Sequence, residues 1–98
     1  ISEILRRASD LISQKGFCRG ALKSSLGYDI TGACNQIICG DYRIAERFHE
    51  WRRYVEANTK PHSITYWNDF ICHDKQQAIL ILKMAEELAM KDEVRNDT

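Results

Sequence analysis

The sequence predicts a mainly α-helical protein, a compact three-helix domain with two ordered loops. Three observations predict it. Two segments repeat apolar residues at a spacing that puts them on one helical face, near the start and in the middle of the chain. A third, near the end, is rich in aliphatic residues and opens on a capping pattern. Glycines and the single proline fall between these segments rather than inside the outer two.

The first helix is expected over residues 2–15. Ile1, Ile4, Leu5, Ala8, Leu11 and Ile12 form one stripe. Ser2 reads as the N-cap and Glu3 suits the positive end of the helix dipole. Gly16 reads as a left-handed stop, with Phe17 folding back on the last turn as in a Schellman cap.

Residues 17–33, punctuated by Gly20, Gly27 and Gly32, read as an ordered loop with an extended piece at Tyr28, Ile30 and Thr31. The middle helix is expected over 33–57, on Ile37, Ile44, Phe48, Trp51 and Val55. Gly40 weakens it, so a late start or a bend there is foreseen, with a stop at Asn58 before Pro61.

The second loop, 59–73, contains Ser63-Ile64-Thr65-Tyr66-Trp67, which has β character and could pair with 28–31 as a short two-stranded β-ribbon. Asn68-Asp69 reads as a turn. Asp74 and Gln77 make a capping box for the last helix. Ala78, Ile81, Met84, Ala85 and Leu88 form its main stripe; Ile79, Leu80 and Leu82 widen it, so burial on several sides or a partner chain is expected. Residues 1–90 read as one domain and 91–98 as a polar tail that frays.

Composition narrows the function classes. Lysine plus arginine and aspartate plus glutamate are 14 each, a net charge of zero. Nucleic-acid binding is therefore not expected, because phosphate neutralisation favours a basic excess. No apolar run approaches the roughly 20 residues a membrane span needs. The chain opens on Ile1 rather than methionine, which leaves room for an upstream leader. Cys18, Cys34, Cys39 and Cys72 read as free thiols in a reducing cytoplasm. Their spacing, with His49, His62 and His73, matches no zinc knuckle, so no metal and no cofactor is expected.

Two constellations are candidates for binding. Arg43, Arg47, Arg52 and Arg53 interleave with Tyr42, Trp51 and Tyr54, a mixture that can hold a nucleotide, although Glu46, Glu50 and Glu56 share the helix. Trp67-Asn68-Asp69 puts an indole and two polar groups on one loop. With the two loops lying together, the predicted ligand-binding residues are Arg19, Tyr28, Arg43, Arg47, Trp67, Asn68 and Asp69. No catalytic set of nucleophile and base is evident.

Ala8-Ser9-Asp10-Leu11-Ile12 leading into Gly16-Phe17-Cys18-Arg19-Gly20-Ala21, with Trp67-Asn68-Asp69 before a capped aliphatic helix, resembles a family of bacterial and phage proteins catalogued as domain of unknown function 6197. The resemblance spans about residues 3–90. It implies a compact, mostly helical fold and an intracellular bacterial or phage setting, and no reaction. The chain departs from the family pattern where Ile37 replaces a cysteine and Asp41 an alanine.

The leading expectation is a non-enzymatic binding or interaction module, with a homodimer through residues 78–90. The alternatives are a small-ligand binder for a nucleotide or signalling molecule, and a thiol-dependent enzyme using Cys18.

Overall fold

The computed structural model describes residues 1–40 and 50–96. Among them are α1 (Ser2–Lys15), β1 (Lys23–Ser24), β2 (Gly27–Tyr28), α2 (Ile30–Cys39), α3 (Trp51–Thr59), a single turn α4 (Ile64–Tyr66) and α5 (Lys75–Asn96). A π-helical turn, Trp67–Ile71, continues directly from α4. The chain is mainly helical, as its sequence predicts, with one small antiparallel sheet among the described residues.

α1 has the predicted bounds but not the predicted caps. Ile1, not Ser2, occupies the N-cap position. Ser2 instead donates its backbone N–H and hydroxyl to Glu93, at 2.9 and 2.7 Å, tying the start of α1 to the last turns of α5. At the other end the Gly16 N–H bonds to the Ile12 carbonyl at 2.8 Å. Its φ of 101° and ψ of 176° differ from the left-handed helical geometry of a Schellman cap. The chain leaves α1 extended, and Phe17 packs against the core.

The β-ribbon is local. Lys23 pairs with Tyr28 and Ser24 with Gly27 across a tight hairpin inside the first loop, rather than 28–31 pairing with 63–67. The expected extended residues Ile30 and Thr31 instead open α2, because the Asp29 side chain accepts the Gly32 N–H and caps the helix there.

The middle helix predicted over 33–57 is two helices. α2 ends at Cys39 with Gly40 as its cap, and α3 starts at Trp51. Ile44 and Phe48 of the predicted stripe, and Asp41, lie outside the described residues. The remainder behaves as the periodicity requires: Trp51 and Val55 are fully buried and Ile37 packs against the core. Asn58 does not end α3. It lies inside the helix and donates its side chain back to the Tyr54 carbonyl at 3.0 Å.

Residues 63–67 are helical despite their β-branched and aromatic content. Ser63 caps α4 by accepting the Tyr66 N–H at 3.1 Å, and that local bond decides the conformation. The predicted Asn68-Asp69 turn is part of the π turn, closed by Cys72 N–H to Trp67 carbonyl at 2.8 Å.

α5 begins as predicted. Asp74 accepts the Gln77 N–H at 3.0 Å, while the Gln77 side chain accepts the N–H of His73, one residue earlier than in a standard capping box. The helix runs on through residues 91–96, the stretch expected to fray. Asp92 and Glu93 hold it down, one to Tyr54 at 2.9 Å and the other to Ser2.

α5 packs against α1 and α3, and α1 also packs against α2. The core combines Ile4, Leu5, Ala8 and Ile12 of α1 with Ile30, Ala33, Cys34 and Ile38 of α2, Trp51 and Val55 of α3, and Leu82 of α5. Ala78, Ala85 and Ala89 are fully buried small residues on the inner face of α5, which allow a close approach. Each large aliphatic side chain buried here contributes about 1.5–3 kcal/mol. Met84, assigned to the buried stripe from sequence, is exposed, as is Leu80. α5 is thus covered on its inner face and apolar in patches on its outer one.

Candidate functional site

The two connectors that carry the predicted site do meet. The wide π turn places Asn68 under the first loop, 1 % exposed. Its carbonyl oxygen accepts the Ile30 N–H at 3.0 Å, and its amide nitrogen donates to the Cys18 carbonyl at 3.2 Å and to Asp69 Oδ1 at 2.9 Å. Asp69 Oδ1 also accepts the Gly20 N–H at 2.9 Å. Arg19 donates to the Cys72 carbonyl and lies 5.8 Å from the Phe17 ring centre. Arg19, Asn68 and Asp69 thus form one junction, made by side-chain hydrogen bonds to the backbone of the opposite connector rather than by paired strands.

Tyr28 stands apart from this junction in its side-chain contacts. Lys23 Nζ is 5.3 Å from its ring centre, and the ring borders a shallow cleft of about 180 Å³ with Asn35, Gln36 and Cys39. Its backbone brackets the loop: Tyr28 N–H bonds to the Gly16 carbonyl at 3.1 Å and its carbonyl accepts the Cys18 N–H at 3.0 Å. Trp67 is half-buried against the core. Arg43 and Arg47 lie outside the described residues.

Electrostatically the junction is acidic at its base. Asp29 is 4 % exposed. Burial pushes its carboxyl above the ordinary aspartate range; the Gly32 N–H opposes this and the nearby Asp69 adds to it. A folded-state pKa above the unfolded value means that the folded chain holds this proton more tightly. The resulting stabilisation is present in full below the unfolded pKa and is lost as pH rises through the raised folded value. Asp29→Asn keeps a capping oxygen but cannot titrate. On acidification from neutral pH down into the ordinary aspartate range, the unaltered chain should therefore gain stability relative to Asp29→Asn in urea unfolding. A constant difference across that range would contradict this.

The thiols do not form a reactive centre with these groups. All four cysteines are free, with Cys18, Cys34 and Cys72 buried and Cys39 exposed. Burial pushes the Cys34 and Cys72 thiols up, toward the protonated, unreactive form. Cys18 donates its thiol to the Ala21 carbonyl at 3.3 Å. Among the described residues, no three His, Cys, Asp or Glu side chains converge on a metal-sized point. No described helix is long and apolar enough to cross a membrane.

The arrangement can lock two connectors together. Both donors and the acceptor of Asn68 already have protein partners. A second polar group was not foreseen from sequence: Arg53 and Tyr54 of α3 with Asp92 of α5. The only signal for it is a tyrosine beside an arginine on the basic helix, since its acidic member sits in the stretch read as a tail.

No curated protein and no solved structure shows significant similarity to the chain. A family model described as a family of unknown function, DUF6197, matches residues 1–88, which take in α1, the junction and most of α5. With the match covering most of its length, the chain belongs to the DUF6197 family.

Proposed function

We propose that the protein is a small non-enzymatic interaction module that pairs with a second copy of itself through the outer face of α5. The observation that carries this reading is the exposure there of four large apolar side chains: Leu80 at 56 %, Met84 at 41 %, Met90 at 49 % and Val94 at 65 %. Apolar residues grouped on an outward face favour a protein partner.

Their spacing favours a second copy. Leu80, Met84, Glu87, Met90 and Val94 follow one another by steps of four, three, three and four residues. The steps are the same from either end. An antiparallel pair of α5 helices with a two-fold axis at Glu87 would set Leu80 level with the partner's Val94, and Met84 level with the partner's Met90. Such self-complementarity is what a two-fold interface requires. Lys83 and Lys91 lie one turn to either side of Glu87 and would surround the central carboxylates with positive charge.

Light scattering coupled to size-exclusion chromatography tests the reading. A dimer at micromolar concentration is expected for the unaltered chain. Met84→Lys with Met90→Lys should give a monomer of unchanged helicity. A monomeric unaltered chain would overturn the proposal. The alternative, a small-ligand site at Trp67-Asn68-Asp69, has less support because the Asn68 amide is already engaged. Four free thiols, three of them buried, fit a reducing bacterial or phage-infected cytoplasm.

A further inference from the structure

The chain holds two methionines, Met84 and Met90, and both lie exposed on the outer stripe of α5. Most of the other sulfurs are withdrawn. Cys18, Cys34 and Cys72 are buried, and burial keeps the Cys34 and Cys72 thiols protonated and unreactive. Among the described residues Cys39, at the end of α2, is the one exposed thiol. The sulfurs that an oxidant in solution meets are therefore the two thioethers of α5 and that thiol. The inner face of α5 is fixed without sulfur, since Ala78, Leu82, Ala85 and Ala89 are buried there. A chemical change at Met84 and Met90 thus alters the outer face and leaves the fold in place.

We propose that Met84 and Met90 are an oxidation site for peroxides, and that their conversion to sulfoxides switches the α5 pairing off. The inference rests on that pairing, in which Met84 is level with the partner's Met90. The four thioethers of the pair would then occupy its two inner levels, with Leu80 and Val94 at the outer ones. The sulfur lone pair attacks one oxygen of the peroxide. An S–O bond forms, the O–O bond breaks, and the displaced oxygen takes the hydroxyl proton and leaves as water or an alcohol. Sulfur loses two electrons and the peroxide gains them. The product carries a strongly polar S=O group. Between aliphatic side chains that group lacks a hydrogen-bond donor and opposes association, whereas in the free chain water solvates it. Association in turn shields the thioethers. Oxidation therefore proceeds through the monomer and traps it, and it slows as the chain becomes more concentrated. Leu80 and Val94 cannot undergo this chemistry, so the switch lies wholly in the two inner levels.

The test uses the full chain with Cys39→Ser, which removes the exposed thiol, treated with hydrogen peroxide until its mass has risen by two oxygen atoms. Peptide mapping places the oxygens, and light scattering coupled to size-exclusion chromatography reads the assembly. Oxygen on Met84 and Met90 is expected, with a dimer before treatment and a monomer after it at the same concentration. That change corresponds to about a hundredfold or more in the dissociation constant. Far-ultraviolet circular dichroism should be unchanged, and oxidation should be slower at high chain concentration than at low. Reduction of both sulfoxides by methionine sulfoxide reductases should bring the dimer back. Met84→Leu with Met90→Leu keeps the face apolar and cannot accept oxygen, so that chain should stay dimeric in peroxide. A dimer that survives oxidation of both sulfurs, or a leucine variant that dissociates in peroxide, would overturn the proposal and leave the pairing standing. A chain already monomeric before treatment would overturn the pairing, and this proposal with it.

Discussion

Gly27→Ala should cost about 3–5 kcal/mol of folding stability, which is a large share of what a domain this size possesses. Two separate costs add. Gly27 has a φ of +140°, where an L side chain is strained. A Cβ built there would also lie 2.1 Å from the Gly16 carbonyl carbon and 2.6 Å from the Phe17 nitrogen. Those neighbours are backbone at the end of α1, and Gly16 in turn meets the Leu26 carbonyl oxygen at 2.2 Å from its own would-be Cβ. The hairpin and the helix end touch glycine to glycine, so neither can yield without breaking the bonds that join Tyr28 to Gly16 and Cys18. Gly20→Ala is the control. Its φ is +76°, but nothing lies within 4 Å of the added carbon, so only the conformational cost of about 1 kcal/mol applies. Urea unfolding followed by circular dichroism measures both. Equal losses at the two positions would show that the close approach contributes nothing.

That contact also marks the boundary of what the sequence makes legible. α1 and the start of α5 are readable because a one-sided apolar stripe and a side-chain cap are local signals. The hairpin at 23–28 is not, because two-residue strands have no periodicity to detect. Ser63 shows the reverse error. Its neighbours Ile64, Thr65 and Tyr66 favour strands on average, yet a single cap bond makes them helical. The junction was legible as a meeting of two loops, but the role of Asn68 was not. A buried asparagine with all its groups satisfied and an exposed one awaiting a ligand look identical in sequence. The Tyr54–Asp92 bond spans 38 residues, and nothing local in the sequence pairs that tyrosine with that aspartate. α5 carries apolar residues around most of its circumference, so its sequence cannot say which side faces inward. Only the packing of α1 and α3 separates Leu82 and Ala85 from Leu80 and Met84.

Asn68→Ala should lower stability by about 2–4 kcal/mol, although it removes almost no apolar contact. The side chain joins three backbones: its own π turn, the N-terminus of α2 through Ile30 and the exit of α1 through Cys18. Truncation strands a buried N–H and a buried carbonyl, and each such group costs about 1–3 kcal/mol when water cannot reach it. Asn68→Asp separates this account from a loss of packing. Aspartate has nearly the same shape and still accepts from Ile30, but it cannot donate to Cys18. It also places a carboxylate beside Asp69, whose Oδ1 is 2.9 Å from the present amide nitrogen. Two carboxylates that close raise the pKa of the pair, so protonation favours the folded state. The loss caused by Asn68→Asp should therefore be larger at pH 7 than at pH 5. The loss caused by Asn68→Ala should stay level across the same range. If the aspartate variant proved as stable as the unaltered chain at neutral pH, the amide could not be what clamps the two connectors together.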